Sequence, residues 1–270
     1  MGKKMRIGIV GCGTIGAALA KACLERFSEK SDLVGLSDLD EKKIEKLNKD
    51  ISKDIASLSI DELIEKSDLI VEAASPIVVP ELARKIIDQD KGFMAMSVGG
   101  FIGSEELLKA AEAKGVKIFL PSGALCGLDA VKSAGSTIRS ATLITRKPPR
   151  ALSGAPYIVK NGIDLESITK ETIIFEGSAK EATKGFPKNI NVSAALSLAG
   201  IGSERTGVKI VVSPDFKGNS HEIIIEGDFG ELRAKTDNVP SPTNPKTSFL
   251  AVLSAIATLE GILKSVRIGT

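Results

Sequence analysis

The chain has no tryptophan, one tyrosine, one histidine and three cysteines in 270 residues. Aromatic residues make up only 4%, which leaves little surface on which unpaired bases could stack. A net charge of +2, from 36 basic and 34 acidic residues, gives no electrostatic case for nucleic acid or an acidic membrane surface. No apolar run approaches the ~18 residues that would span a bilayer. Met1 to Lys4 leads straight into the first predicted strand, so no targeting segment is expected. Cys12, Cys23 and Cys126 have neither metal-site nor disulfide-framework spacing, so no metal is expected, and reduced thiols and a cytoplasmic setting are. A single histidine, His221, leaves one side chain whose unperturbed titration falls near neutrality.

What is present begins at residues 6–16, Arg-Ile-Gly-Ile-Val-Gly-Cys-Gly-Thr-Ile-Gly. An apolar run suited to a buried parallel strand leads into Gly11, Gly13 and Gly16, and an alanine- and leucine-rich helical segment follows from Ala17 to Phe27. This is the G-x-G-x-x-G turn of a dinucleotide-binding unit. The first glycine allows the tight turn, the second lets a pyrophosphate approach the backbone, and the third lets helix and strand pack closely. The helix start, with Thr14 and Ile15, offers free N–H groups and the positive end of the dipole. A second strand, Leu33 to Ser37, ends at Asp38, about 20 residues beyond Gly16, where an acid binds the adenosine ribose hydroxyls. A carboxylate there repels a 2′-phosphate and favours NAD. Lys42 and Lys43 lie close enough to leave NADP possible, and Asp40 is the rival for the ribose role.

Further along, Ser59 and Glu62 stand in capping-box register for a helix to Lys66. Strands are predicted at Asp68–Ala73, Phe93–Val98 and Val116–Leu120. Helices are expected at about 40–50, opening at Ser75-Pro76, and from about Ser104 to Lys114. This alternation predicts an α/β domain with a doubly wound parallel sheet over residues 1–121, whose loops at Ala74-Ser75 and Ser97–Gly100 face ligand. From Ser140 the strands become β-branched and partly alternating: Thr142–Lys147, Thr172–Glu176, Val208–Val212, Glu222–Glu226 and Glu231–Thr236. A hairpin is expected at 228–231 and a helix from Val192 to Ala199. Residues 122–246 therefore read as an α+β domain with an antiparallel sheet exposed on one face. Thr247–Lys264 reads as a long amphipathic helix, within a 247–270 segment returning to the first domain.

His221 opens a strand after a loop, a position equally suited to a base facing a cleft or to a surface residue without a role. Lys246 is placed just before the last helix, where a cation opposes the dipole. It either shares an anionic ligand with that helix start or is simply exposed. Cys126 has apolar neighbours that would raise its pKa, which argues against a nucleophile.

Taken together these segments resemble the L-aspartate dehydrogenases along nearly the whole chain. The matching stretches are residues 8–16, Val-Glu-Ala-Ala-Ser at 71–75, Pro-Ser-Gly-Ala at 121–124, Phe-Pro-Lys-Asn-Ile-Asn-Val-Ser-Ala-Ala-Leu-Ser-Leu-Ala-Gly at 186–200, His221, and Asn-Pro-Lys-Thr-Ser at 244–248. Cys126 is a departure, where family members more often look glycine-like. The resemblance implies a Rossmann domain carrying NAD, with Gly11, Gly13, Thr14, Ile15, Gly16, Asp38, Ala74, Ser75, Ala124 and Asn191 as cofactor contacts. It implies His221 as the catalytic residue and L-aspartate as the substrate, oxidised to iminoaspartate, which feeds NAD synthesis or hydrolyses to oxaloacetate and ammonia. Lys246, Thr247 and the amides of the last helix are the expected carboxylate-binding groups, and a homodimer is expected. The rival readings are a homoserine dehydrogenase or dihydrodipicolinate reductase type, or an NAD-sensing protein without catalysis.

Overall fold

The computed structural model describes residues 3–187, 190–266 and 268, which fall into two compact units. The first comprises Met1–Pro121 with Val252–Arg267, and the second Ser122–Ala251 with 268–270.

In the first unit β1 (Met5–Val10) is followed by α1 (Thr14–Leu24), β2 (Ser31–Ser37), α2 (Glu41–Ile51), α3 (Ile60–Lys66) and β3 (Leu69–Glu72). Then come α4 (Val79–Asp88), β4 (Gly92–Ala95), α5 (Glu106–Lys114) and the short β5 (Ile118–Phe119). The five strands are parallel in the order β2-β1-β3-β4-β5. Helices on both faces explain why β3, Leu-Ile-Val-Glu, is buried at every position: central parallel strands have no solvent face. The order in which strands are added reverses between β1 and β3, the switch point at whose carboxyl edge such sheets hold ligands. Ser59 caps α3 with the reciprocal Glu62 contact that the sequence indicates. α4, however, starts at Val79 rather than at Ser75-Pro76, because Pro80 supplies the first-turn proline and residues 76–78 form a turn. β4 likewise stops at Ala95, and residues 98–101 tighten into a 3₁₀ turn.

The second unit contains α6 (Leu128–Ala134), β6 (Ile138–Lys147), α7 (Pro156–Lys160), β7 (Thr172–Ser178), α8 (Ala179–Gly185) and α9 (Asn191–Ala199). β8 (Thr206–Val212), β9 (Asn219–Gly227), β10 (Gly230–Asn238), β11 (Pro240–Ser241) and β12 (Asn244–Ser248) follow, and the final helix α10, Phe249–Leu263, belongs from Val252 onward to the first unit. Its sheet has the order β10-β9-β6-β8-β7. It is mixed rather than purely antiparallel, because β6 and β8 pair in parallel while the other neighbours are antiparallel. Pattern alone did not reveal this, since either pairing suits a β-branched strand. β9 and β10 are joined through Asp228-Phe229 at the expected hairpin, with Gly230 in the left-handed region at φ +111°.

The last helix starts later than the pattern indicates. Asn244–Ser248 forms β12, paired with β11, so Lys246 and Thr247 belong to a strand and not to a helix start. Pro245 has no N–H for a helical ladder, and the Asn244 side chain accepts the Lys246 N–H at 3.0 Å instead. The expected use of helix-start amides beside Lys246 is therefore corrected. Among the described residues no helix is long and apolar enough to cross a membrane.

Candidate functional site

In the first unit, the loops after β1, β2 and β3 are tied together at the carboxyl edge of the sheet. The Gly11 N–H donates to the Ser37 carbonyl at 2.7 Å, and the Ala73 N–H donates to that of Val10 at 2.7 Å. The three glycines differ in what surrounds them. Gly11 has φ +96°, and a Cβ there would stand 2.6 Å from the Ala73 carbonyl oxygen. At Gly16 a Cβ would reach 1.8 Å from the Gly11 carbonyl oxygen, which is the close packing of helix on strand. Gly13, the exposed N-cap of α1, has nothing within 4 Å of where a Cβ would be. That open backbone at a helix N-terminus leaves room for a pyrophosphate, so the residues present fit a dinucleotide.

Asp38 follows β2 directly and accepts the Cys12 N–H at 2.7 Å and the Asp40 N–H at 2.9 Å, with Lys43 Nζ at 3.5 Å. Burial opposes its ionised form, but these donors prevail and hold its pKa below the usual carboxylate range. Asp40, the rival acid, is instead the N-cap of α2, accepting the Lys42 N–H.

Glu72, at the end of β3, is fully buried and was not singled out from the sequence. One carboxylate oxygen accepts the Ala74 N–H at 2.7 Å and the Ser97 hydroxyl at 2.8 Å, and the other accepts the Ser97 N–H at 3.0 Å. Burial raises its pKa, against the pull of these donors. Glu72 thus fastens the loops after β3 and β4, including Ala74 and Ser75, at the edge of the sheet. The available signal was a carboxylate closing an otherwise apolar strand.

In the second unit, residues two apart on a strand share a face. Register pairs Thr145 with His221 and His221 with Thr236, and sets Asn219 opposite Asn238. Thr145, Lys147, Asn219, His221, Thr236 and Asn238 therefore lie on one sheet face. Further along the same face Ala141, Leu143, Ile223 and Ile225 are buried core. One end of this face is thus polar and the other apolar. His221 is not a surface residue: it is 6% exposed, with Nδ1 3.1 Å from the Thr145 hydroxyl oxygen. Burial first, and then the charge of Lys147, pushes its pKa down to about 3, so the imidazole is neutral. Lys147 is 3% exposed, and burial lowers its pKa to about 8.

A cavity of about 730 Å³ opens at this polar end. Its walls include Lys147, Arg150, Lys217, Asn219, Asn238 and Lys246, with Thr247 and Ser248 beside them. Among the described residues lining it there is no Asp or Glu. Asn238 links the parts: its amide donates to the Ala124 carbonyl at 3.3 Å, and its side-chain oxygen accepts the Ser248 hydroxyl at 2.7 Å. The Thr236 hydroxyl also donates to the Ala124 carbonyl, at 2.8 Å. These bonds tie Ala124 to the strand end beside Lys246 and Thr247; His221, paired with Thr236 on the same sheet face, is not among the described residues that line the cavity. Asn191 stands exposed as the first residue of α9, and the neighbouring motif residues Lys188 and Asn189 lie outside the described residues.

The cysteines carry no nucleophile. Burial drives Cys12 and Cys23 up to about 12 and also raises Cys126.

Comparisons with known proteins agree with this geometry. A family model described as aspartate dehydrogenase, C-terminal, matches residues 129–262. One described as homoserine dehydrogenase, NAD binding domain, matches residues 11–121. The L-aspartate dehydrogenase of Methanosarcina barkeri is 44% identical, covering 98% of this chain and 100% of its own. That of Methanosarcina mazei is 45% identical with the same coverage. Among solved structures, aspartate dehydrogenase from Thermotoga maritima superposes with a TM-score of 0.74 at 27% identity, over 99% of this chain and 100% of that one.

Proposed function

The chain belongs to the L-aspartate dehydrogenase family, an NAD(P)-dependent oxidoreductase family, and on that premise we propose that it oxidises L-aspartate to iminoaspartate with NAD as the preferred acceptor. The observation that carries the substrate reading is the cavity of the second unit. Among the described residues four cations and no carboxylate line it, which suits an amino acid bearing two carboxylates. Lys246 and Thr247 are assigned to hold one carboxylate, with Arg150 and Lys217 on other walls for the second.

When bound, the nicotinamide supplies the hydride acceptor. Gly11, Gly13, Thr14, Ile15 and Gly16 cradle the pyrophosphate, and Asp38 takes the adenosine ribose. Ala74, Ser75, Ala124 and Asn191 are assigned as further cofactor contacts, supported by the family motif. The preference for NAD rests on Asp38, whose ionised carboxylate opposes a 2′-phosphate. His221 is assigned as the catalytic residue. Its neutral imidazole, oriented by Thr145, positions the substrate nitrogen and then the water that adds to the C=N carbon. A homodimer is the proposed assembly: β10 lies at one end of its sheet, with an edge free for strand pairing. A cytoplasmic setting suits three free cysteines.

The family model named for homoserine dehydrogenase matches residues 11–121, whereas the one over residues 129–262 is that of aspartate dehydrogenase, and a cation-walled cavity suits a second carboxylate better than a hydroxyl. The test is NADH formation at 340 nm with L-aspartate, against a panel of amino acids that includes homoserine. Turnover is expected with L-aspartate. Turnover of homoserine or a monocarboxylic amino acid without L-aspartate overturns the assignment, and cofactor binding with no turnover of any favours a sensor.

A further inference from the structure

Resting on the reading of the second-unit cavity as a dicarboxylic amino-acid site, we propose that Lys147 is a second catalytic residue, the base that takes the proton from the substrate's α-ammonium. The placement is the first argument. Lys147 ends β6, lines the cavity, and lies diagonally across the ladder from His221 on the same sheet face. Among the described cations that line the cavity it is the buried one; Arg150, Lys217 and Lys246 are exposed.

Electrostatics supply the second argument. Among the described residues, the titratable and charged groups that share the sheet face or the cavity of Lys147 are His221 on β9, Arg150 from the turn after β6, Lys217 from the loop before β9 and Lys246 on β12. Burial is what disfavours a charge on Lys147. With a pKa of about 8, Lys147 is an amine rather than an ammonium through the alkaline range in which an α-ammonium begins to deprotonate. Burial holds His221 below its ordinary value as well, so its imidazole is the weaker base of the two. The two groups therefore divide the chemistry: Lys147 accepts the proton, and His221 orients the reacting groups.

In this step one N–H bond of the α-ammonium breaks and one N–H bond forms on Nζ. The electron pair of the broken bond stays on the α-nitrogen, and Lys147 passes from amine to ammonium. No oxidant is consumed. That electron pair later closes the C=N bond as the α-hydrogen leaves as hydride to the nicotinamide that the family's reaction employs.

Two substitutions separate a base from a carboxylate clamp. Lys147→Arg keeps a permanent charge and cannot act as a base at these pH values. Lys147→Ala removes the group and leaves room for an exogenous amine. Both are expected to lower kcat on L-aspartate by about 10² or more, with ethylamine restoring turnover of the alanine variant. The arginine variant should bind succinate within about threefold of the parent. Retention of kcat by the arginine variant overturns the proposal and makes Lys147 a clamp. NMR titration of the Lys147 side chain in the ligand-free protein reads out independently of activity. A midpoint near 8 is expected, and one near 10.5 overturns the proposal even if the parent protein fails to oxidise L-aspartate. That failure of the parent would itself count against the functional reading.

Discussion

The Cys12 N–H donates to the Asp38 carboxylate at 2.7 Å, so the acid assigned to the ribose also anchors the glycine turn assigned to the pyrophosphate. Lys43 stands 3.5 Å from the same carboxylate and remains when Asp38 is replaced. Asp38→Ser is expected to weaken NADH binding about tenfold through the lost acceptor, and to strengthen NADPH binding as repulsion is removed beside Lys43. Fluorescence titration with both reduced cofactors measures the ratio. An unchanged ratio would show that Asp38 does not set cofactor choice.

The two later glycines of the turn should separate binding from folding. Gly13 has open space around a notional Cβ and an ordinary negative φ, so Gly13→Ala should change stability by less than about 0.5 kcal/mol. The added methyl group fills the proposed cradle, and dinucleotide affinity should fall about tenfold or more. Gly16→Ala drives a Cβ to 1.8 Å from backbone and should destabilise the unit by several kcal/mol, on the scale of overpacking. Chemical denaturation paired with cofactor titration of each variant tests both halves of the contrast.

Glu72 accepts three hydrogen bonds while fully buried. Glu72→Ala leaves two N–H groups and a hydroxyl without their acceptor, and about 3 kcal/mol or more of stability should be lost. Glu72→Gln keeps one acceptor oxygen and should fall between the alanine variant and the parent. Dinucleotide affinity should follow the same order if Ala74 and Ser75 contact the cofactor. Equal affinity in all three proteins would remove those two residues from the cofactor set.

The first unit was legible because its information is local. A strand, three glycines, a helix and an acid after the next strand lie within residues 5–38, and the order of elements then implies a parallel sheet. The second unit was legible as strands but not as a sheet. Nothing in Thr142–Lys147 states that β6 lies between β8 and β9, with β8 parallel to it, and only that pairing sets Lys147 and Thr145 on the face of His221. Lys147 therefore read as the polar end of a strand. Lys246 was placed at a helix start because the apolar pattern of α10 extends back to Thr247, whereas Pro245 and the β11–β12 pairing hold that segment extended. Burial was equally out of reach: a histidine after Gly-Asn-Ser looks like the exposed start of a strand until β6 and β10 pair on either side of it.

If His221 is the catalytic residue proposed above, Thr145 should act on turnover through the imidazole it contacts. Thr145→Val keeps the shape and β-branching while removing the hydroxyl that lies 3.1 Å from Nδ1. Turnover of L-aspartate should fall about tenfold with cofactor affinity unchanged, whereas His221→Ala should lose about 10² or more. The double variant should lose little beyond His221→Ala, because the hydroxyl then has no imidazole to orient. Additive losses in a steady-state double-mutant cycle would show that Thr145 acts by another route.

Lys147 should also leave a signature in stability. Its pKa is about 8 in the folded protein against an ordinary 10.5, so the unfolded chain holds the proton more tightly between these values. Folding stability is therefore unaffected by this group above about pH 10.5 and declines as pH falls from there to about 8. Below pH 8 the penalty is constant, as the folded protein carries a buried ammonium. Lys147→Met removes the ionisable group at similar length, and at pH 7 it should stabilise the protein by roughly 1–3 kcal/mol while abolishing the proposed base. The difference between variant and parent should shrink as pH rises from 8 towards 10.5. Urea denaturation of both proteins across that range measures it, and the remaining ionisable residues, shared by both, cancel in the difference. A gain independent of pH would instead assign it to packing alone and leave the lysine with no buried charge to relieve.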